Sequence, residues 1–230
     1  MLVLALDTAM SACSAALVEN AGRPGARVLA ARTTPMERGH AEALLPLIET
    51  IMAEGGRSYA DLDLIAATVG PGAFTGIRVG LAAARGLALA ADKPCAGVTT
   101  LEALAAAASS VVGGAPVLVA VESRRSDLFV QAFGANGLAL SAPESLPPEG
   151  LGAFAREAGL APGFVLAGDG AARAGVALAA AGIVARVVES AAPDPVLVAA
   201  LAALRHGTER ALAPRPLYLR PPDVTFPKNA

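Results

Sequence analysis

The apolar positions of this chain fall into two rhythms that alternate along its length. Leu2–Leu6, Ser14–Val18 and Arg27–Arg32 are short runs rich in Leu, Val and Ala, and a Gly/Pro turn at Gly22–Gly25 separates the second from the third. Short apolar runs bounded by turn residues predict strands. From His40 to Glu54 the spacing changes, with Ala41, Leu44, Leu45, Ile48, Ile51 and Met52 at helical intervals. This predicts a helix, which Pro46 should kink unless it falls in the first turn. Leu64–Val69 is strand-like again and ends in Gly70-Pro71-Gly72, and a second helix is expected over about Gly76–Ala91 with Thr75 as its N-cap.

The second half repeats this plan. Val117–Val121 is a strand closed by Glu122, as Leu2–Leu6 is closed by Asp7, and Leu128–Phe133 follows as another strand. Thr68-Val69-Gly70-Pro71-Gly72-Ala73 has an echo in Leu166-Ala167-Gly168-Asp169-Gly170-Ala171, both being strand ends that turn on two glycines into a helix. Two related α/β lobes are therefore expected, residues 1–110 and 111–212, with the boundary near Ser110–Pro116. Residues 213–230 form a Pro-rich extended tail, in which Leu217, Tyr218 and Leu219 suggest a strap onto the surface or onto a partner.

Composition narrows the function classes. Of 230 residues, 54% are apolar, 17% charged and 3% aromatic, so the core must rest on Ala, Leu and Val and backbones must approach closely. The net charge is −2 and no run of Lys or Arg exceeds a pair. A protein that grips RNA alone shows a basic stripe, so any nucleic-acid contact here is shared with a partner. Cys13 and Cys95 are too few for a disulfide framework and are expected as buried free thiols. The uncharged stretch Ala103–Val121 is broken by Ser109, Ser110, Gly113, Gly114 and Pro116, so it reads as helix, turn and strand, not as a membrane span. With no basic flank or signal-type apolar segment at the start, a cytoplasmic location is expected.

The most distinctive stretch is Gly70-Pro71-Gly72-Ala73-Phe74-Thr75-Gly76-Ile77-Arg78-Val79-Gly80. Its glycines suit either a phosphate turn or a tight structural turn, and no Lys makes it a Walker A loop. Candidates for a nucleotide or phosphate turn are Asp7, Thr8, Gly70, Gly72, Thr75 and Gly76. Asp7 and Glu122 could face each other across a cleft and hold Mg²⁺ through water, or serve as turn and cap residues. Asp7 is followed by Thr8-Ala9-Met10, without the glycine of an acid–Gly–Thr phosphate turn. His40 and His206 are far apart, and neither an H-E-x-x-H pair nor a G-x-S-x-G elbow occurs, so no catalytic residue and no metal ligand is expected. Between Gly76 and Ala91 the charges are Arg78 and Arg85 alone, with Gly76, Gly80 and Ala84 four apart. Such a helix is sandwiched in a core or covered by another chain. Together with the first helix it gives an expected partner surface of His40, Leu44, Leu47, Ile48, Ile51, Arg78, Leu81 and Arg85, of the standard size of about 800 Å² per partner.

These residues resemble the bacterial tRNA threonylcarbamoyladenosine biosynthesis protein TsaB (YeaZ) family. The resemblance rests on Leu4-Ala5-Leu6-Asp7-Thr8-Ala9 with Ser14-Ala15-Ala16-Leu17, on His40 with Leu44-Leu45-Pro46-Leu47-Ile48, and above all on Gly70–Gly80 with Ala84-Arg85-Gly86-Leu87-Ala88. Gly97-Val98-Thr99-Thr100-Leu101-Glu102-Ala103-Leu104 and Tyr218-Leu219-Arg220 add to it, so the N-terminal half is covered well and the C-terminal half sparsely. In place of the Asp-Ala-Arg stretch frequent in that family, this chain has Glu122-Ser123-Arg124. The resemblance implies two ribonuclease-H-like lobes of the actin-like ATPase (sugar kinase/Hsp70/actin) superfold. It implies a non-catalytic scaffold that dimerises with the catalytic paralogue TsaD, associates with the small ATPase TsaE and meets tRNA only through the complex. That assembly forms N6-threonylcarbamoyladenosine at position 37 of tRNAs reading ANN codons. No cofactor is required, ATP or ADP being expected only at a subunit interface, and a homodimer is expected when the chain is alone. The alternative is a weak nucleotide-binding ATPase or phosphotransferase of the same superfold, using Asp7 and Glu122.

Overall fold

The computed structural model describes residues 1–190 and 192–220. Each half builds one five-stranded sheet. In the N-terminal lobe β1 (Leu2–Asp7), β2 (Ala12–Glu19) and β3 (Arg27–Pro35) form an antiparallel meander, and β4 (Leu64–Thr68) and β5 (Cys95–Val98) join in parallel on the other side of β1. The C-terminal lobe repeats this with the meander β6 (Val117–Glu122), β7 (Leu128–Phe133) and β8 (Glu144–Leu146), then β9 (Val165–Ala167) and β10 (Arg186–Val187) in parallel. The orders β3-β2-β1-β4-β5 and β10-β9-β6-β7-β8 are the same order read from opposite edges. A meander extended by two parallel strands, twice over, is the pair of ribonuclease-H-like lobes of the actin-like superfold.

Both faces of the first sheet are apolar, and the period of two sorts its residues. Leu4, Leu6, Ala15 and Leu17 face a layer made by α1 (His40–Gly55) and α2 (Phe74–Ala91), while Val3, Ala5, Ala16 and Val18 face the opposite side. That opposite side is covered by Val198, Ala199 and Ala202 of α6 (Pro195–Arg205), a helix from the far end of the chain. Conversely α3 (Thr100–Val112) puts Leu101, Leu104, Ala105 and Ala108 against Val117, Val119 and Val121 of the second sheet, whose other face carries α4 (Leu151–Glu157) and α5 (Ala171–Ala180). A boundary drawn by residue number at 110/111 therefore misassigns two helices. Each sheet needs a cover on both faces, and the lobes supply the second cover to one another. The half-buried pair Glu102–Arg205, at 2.9 Å, ties the two exchanged helices together.

Two local expectations change. Thr75 is not the N-cap of α2. The helix starts two residues earlier, capped by Ala73, whose N–H donates to Ala9 O at 2.7 Å. Helix α1 starts after Gly39, held at φ 87°, and runs through Pro46 in its second turn. Up to residue 220 the tail straps onto the first lobe, as the Leu217–Leu219 triplet suggested: Leu217 N–H donates to Val69 O at 2.8 Å, and just ahead of the tail Gly97 N–H donates to Leu212 O at 2.7 Å. Its prolines Pro221, Pro222 and Pro227 lie outside the described residues. Helix α2 is long and apolar enough to cross a membrane by length and composition. It lies instead on the sheet, with Gly76, Ile77, Gly80, Leu81, Ala84 and Ala88 buried against it.

Candidate functional site

The candidate phosphate turn is filled by the chain's own backbone. The loop after β1 runs directly under the start of α2: Thr8 Oγ donates to Gly76 O at 2.7 Å. A Cβ on Gly72 would strike Ala9 O, one on Gly76 would strike Thr8 O, and one on Gly80 would lie 2.5 Å from Thr8 Oγ. The glycines are thus used for a close helix–loop approach of Gly72, Gly76 and Gly80 to Thr8 and Ala9, while Gly72 also lines the cavity between the lobes. Gly70, at φ 101°, lies beneath Ile77 and the strap carbonyl of Leu217. Thr75 is exposed on the outer side of α2. The echo in the second lobe is structural too, since Gly168 and Gly170 both press on Ala120 O of β6.

Asp7 is fully buried. Its Oδ1 accepts the Thr68 hydroxyl at 2.5 Å and the Ala9 N–H at 3.2 Å, and Oδ2 has no partner. Burial raises its pKa from 3.8 to about 6, the Thr68 and Ala9 bonds opposing the rise only in part. Folding thus favours the protonated acid, so the stability Asp7 contributes is full below pH 3.8 and is lost as pH rises through about 6. Each tenfold change in a protonation equilibrium is worth about 1.4 kcal/mol, which makes the loss over that window about 3 kcal/mol. Asp7→Asn has no such titration. In urea unfolding at pH 4 and pH 7, the wild type should lose about 2 kcal/mol more than the variant, because part of the loss has already occurred at pH 4; parallel profiles would contradict this assignment. Glu122 is placed differently. It is half-buried and paired with Arg173 at 2.6 Å, and it lines a cavity to which Asp7 does not contribute. The two acids therefore do not share a cleft wall. Among the described residues no three His, Cys, Asp or Glu side chains are grouped to hold a metal ion. Cys13 is buried and Cys95 half-buried, and burial first of all lifts both thiols to about 11.

The expected partner surface needs correction. Leu44, Leu47, Ile48, Ile51 and Leu81 are buried in the core between the first sheet and its two helices. On a helix lying on a sheet the larger apolar side chains fill the sheet side, so these five cannot meet another chain without unfolding. His40 is half-buried with Nε2 3.2 Å from Met10 O, while Arg78 and Arg85 are exposed. The sequence pattern did not single out the outer ridge, where Leu45 is 51% and Leu89 85% exposed, flanked by the exposed Ala41, Ala82, Gly86 and Ala90. The exterior of the two helices thus still shows Leu45 and Leu89, set among the exposed charges Glu42, Glu49, Glu54, Arg78 and Arg85.

Between the lobes lies a cavity of about 510 Å³. One wall is the start of α2 with Phe74, Ile77 and Arg78, a second is the β6–β7 turn from Glu122 to Arg125 with Phe129, and the third is the strap from Leu217 to Arg220. Tyr218 stacks on Phe74 with ring centroids 5.4 Å apart and accepts a hydrogen bond from Arg78 Nε at 2.9 Å. Arg220 reaches Asp127 of the second lobe at 3.3 Å, so the strap touches both lobes.

A family model described as "TsaD: tRNA N6-adenosine threonylcarbamoyltransferase" matches residues 28–179. The structure of YeaZ from Pseudomonas aeruginosa superposes with a TM-score of 0.77 at 28% identity, covering 95% of this chain and 99% of that one. The tRNA threonylcarbamoyladenosine biosynthesis protein TsaB of Escherichia coli (strain K12) is 36% identical over 129 residues, 56% of this chain.

The chain belongs to the TsaB/YeaZ branch of this family.

The match to E. coli TsaB covers 53% of that protein, so the chain spans about half the length of this curated relative. A Mycobacterium tuberculosis protein (strain ATCC 25618 / H37Rv), itself described as uncharacterized, is 32% identical over 225 residues, 96% of this chain and 93% of that protein. For a TsaB/YeaZ chain, the segment from Gly70 to Gly80 is the part whose sequence distinctiveness has a direct structural cause, the close approach of α2 to the loop after β1.

Proposed function

We propose that this TsaB-like chain is the accessory, non-catalytic subunit of the cytoplasmic complex that forms N6-threonylcarbamoyladenosine at position 37 of tRNAs reading ANN codons. In that role it dimerises with and stabilises the catalytic paralogue TsaD, TsaE joins the pair, and tRNA is met only through the assembly. The observation that carries the reading is the outer side of α1 and α2, where Leu45 and Leu89 stand exposed among small residues, rimmed by Glu42, Glu49 and Arg85. Small residues on such a ridge allow a second helix pair to approach closely, and an apolar patch of this kind favours cover by protein. The filled turn beneath α2 and the buried Asp7, whose Oδ1 is taken by Thr68 and Ala9, argue in the same direction, because an active ATPase would need that acid free for a Mg²⁺ ion and those amides free for phosphate. The same ridge would pair with itself when the partner is missing, giving a homodimer.

The test is a sizing and calorimetric titration of the chain against its TsaD paralogue. Leu45→Asp combined with Leu89→Asp should weaken the heterodimer by about 100-fold or more, since each puts a charge at the centre of an apolar contact. Thermal unfolding of the variant should stay near that of the wild type, as both side chains are exposed. Unchanged affinity would remove the ridge as the interface.

A further inference from the structure

We infer that the strap from Leu217 to Arg220 is a latch between the lobes, fixed to the first and releasable from the second, which sets how far apart the lobes stand. The lobes are joined where α3 and α6 are exchanged, with the Glu102–Arg205 pair at 2.9 Å between those helices. Beyond the carboxyl ends of β4 and β6 they stand on either side of the cavity. There Arg124 of the second lobe meets Glu37 of the first at 3.3 Å, with side chains 63% and 71% exposed. An ion pair so exposed holds little. The strap is another crossing at this end, and it is built differently on its two sides.

On the first lobe it is held by several contacts within two residues. Leu217 N–H donates to Val69 O at 2.8 Å, the Tyr218 ring stacks on Phe74 with centroids 5.4 Å apart, and the Tyr218 hydroxyl accepts from Arg78 Nε at 2.9 Å. On the second lobe the tie is Arg220 Nη2 to Asp127 Oδ2 at 3.3 Å. Asp127 is a prepared acceptor, because the Ser126 hydroxyl donates to its Oδ1 at 3.0 Å and the Ser145 hydroxyl of β8 to its Oδ2 at 3.1 Å. The Arg220 side pays a penalty, since its Nη1 is buried without an acceptor, and release to water removes that cost. The second-lobe anchor is therefore the weaker one. The span between the anchors is also short. From Tyr218 to Arg220 the chain reaches about 7 Å at most, so the second lobe cannot move off by more than the slack in the Arg220 side chain unless an anchor breaks. When Arg220 lets go, the strap stays on α2 and the lobes part about the exchanged helices, a hinge-type opening.

Spin labels on Glu49→Cys in α1 and Ala153→Cys in α4, both exposed and on different lobes, read the separation by pulsed electron resonance. The background is Cys95→Ser, and dilution with unlabelled protein silences distances between copies. Arg220→Gln and Asp127→Asn should each lengthen the distance or broaden its distribution by about 5 Å or more, with unchanged circular dichroism. Arg220→Lys, which keeps the charge, should stay nearer the wild type than Arg220→Gln. The double variant Arg220→Gln/Asp127→Asn should open no further than either single one, because both remove the same contact. Wild-type distances in Arg220→Gln and Asp127→Asn would overturn the latch and leave the strap as cover for apolar surface. So would additive opening in the double variant, which would mean that the two side chains act through different contacts. Lost circular dichroism in either single variant would also count against it, since neither side chain is part of a core.

Discussion

Leu44→Asp is expected to unfold the N-terminal lobe, while Leu45→Asp, one residue on, leaves it folded. Leu44 is 1% exposed and packs under α1 among the residues that face β1 and β2, whereas Leu45 is 51% exposed. Removing a buried Leu side chain costs about 2–5 kcal/mol through lost burial and the cavity left behind. Placing a carboxylate there adds several kcal/mol, because none of the buried polar residues among those described is a cation that could pair with it. The sum, more than about 5 kcal/mol, is comparable with the whole stability of a domain, about 5–15 kcal/mol. Urea unfolding followed by circular dichroism reads both variants. A Leu44→Asp protein as stable as wild type would mean that α1 is rotated about its axis relative to this packing. The contrast also governs the test of the proposed TsaD interface: a loss of binding in Leu44→Asp would report an unfolded lobe, whereas Leu45 and Leu89 test the surface itself.

Why the sequence misdirected that choice is physical. The strand runs were legible because each alternates between two buried faces: Leu4 and Leu6 on one side, Val3 and Ala5 on the other. The existence of α1 and α2 was legible from their spacing. Their orientation was not, because Leu44, Leu45, Leu47 and Ile48 spread over an arc of about 160° on α1, wide enough for either edge of it to face the sheet. Only the sheet, by seating the stripe that includes Leu44, Leu47, Ile48 and Ile51, decides between them. The exchange of α3 and α6 was hidden for a similar reason. Both are alanine-rich helices with no polar face distinctive enough to name the sheet they cover. The cavity was hidden because it is assembled from distant segments; Arg78 and Tyr218 are 140 residues apart in sequence. The glycines from Gly70 to Gly80 announced a close approach, but not whether a phosphate or the chain itself would be on the other side.

That last question has a mutational answer, with opposite signs expected within one helix. Gly76→Ala and Gly86→Ala both replace a glycine in α2 with the best helix former, a change worth about 1 kcal/mol in favour of the fold where nothing intervenes. At Gly86 nothing lies within 4 Å of the added methyl, so the isolated chain should gain about 0.5–1 kcal/mol. At Gly76 the methyl would collide with Thr8 O, a backbone atom in a fully buried loop. That loop cannot retreat cheaply. Thr8 Oγ is bonded to Gly76 O at 2.7 Å, Ala9 O accepts from Ala73 N at 2.7 Å, and Gly72 presses on Ala9 from the same side. Overpacking against side chains costs about 1–3 kcal/mol, and a backbone neighbour held by two hydrogen bonds belongs at or above the top of that range. The helix-propensity gain offsets about a third of it, so Gly76→Ala should lose about 2–3 kcal/mol or more in urea unfolding. If both substitutions stabilised the chain, α2 would stand off the loop after β1, leaving room at its N-terminus for a phosphate. The opposite signs would establish that the first lobe has committed its helix N-terminus to its own backbone.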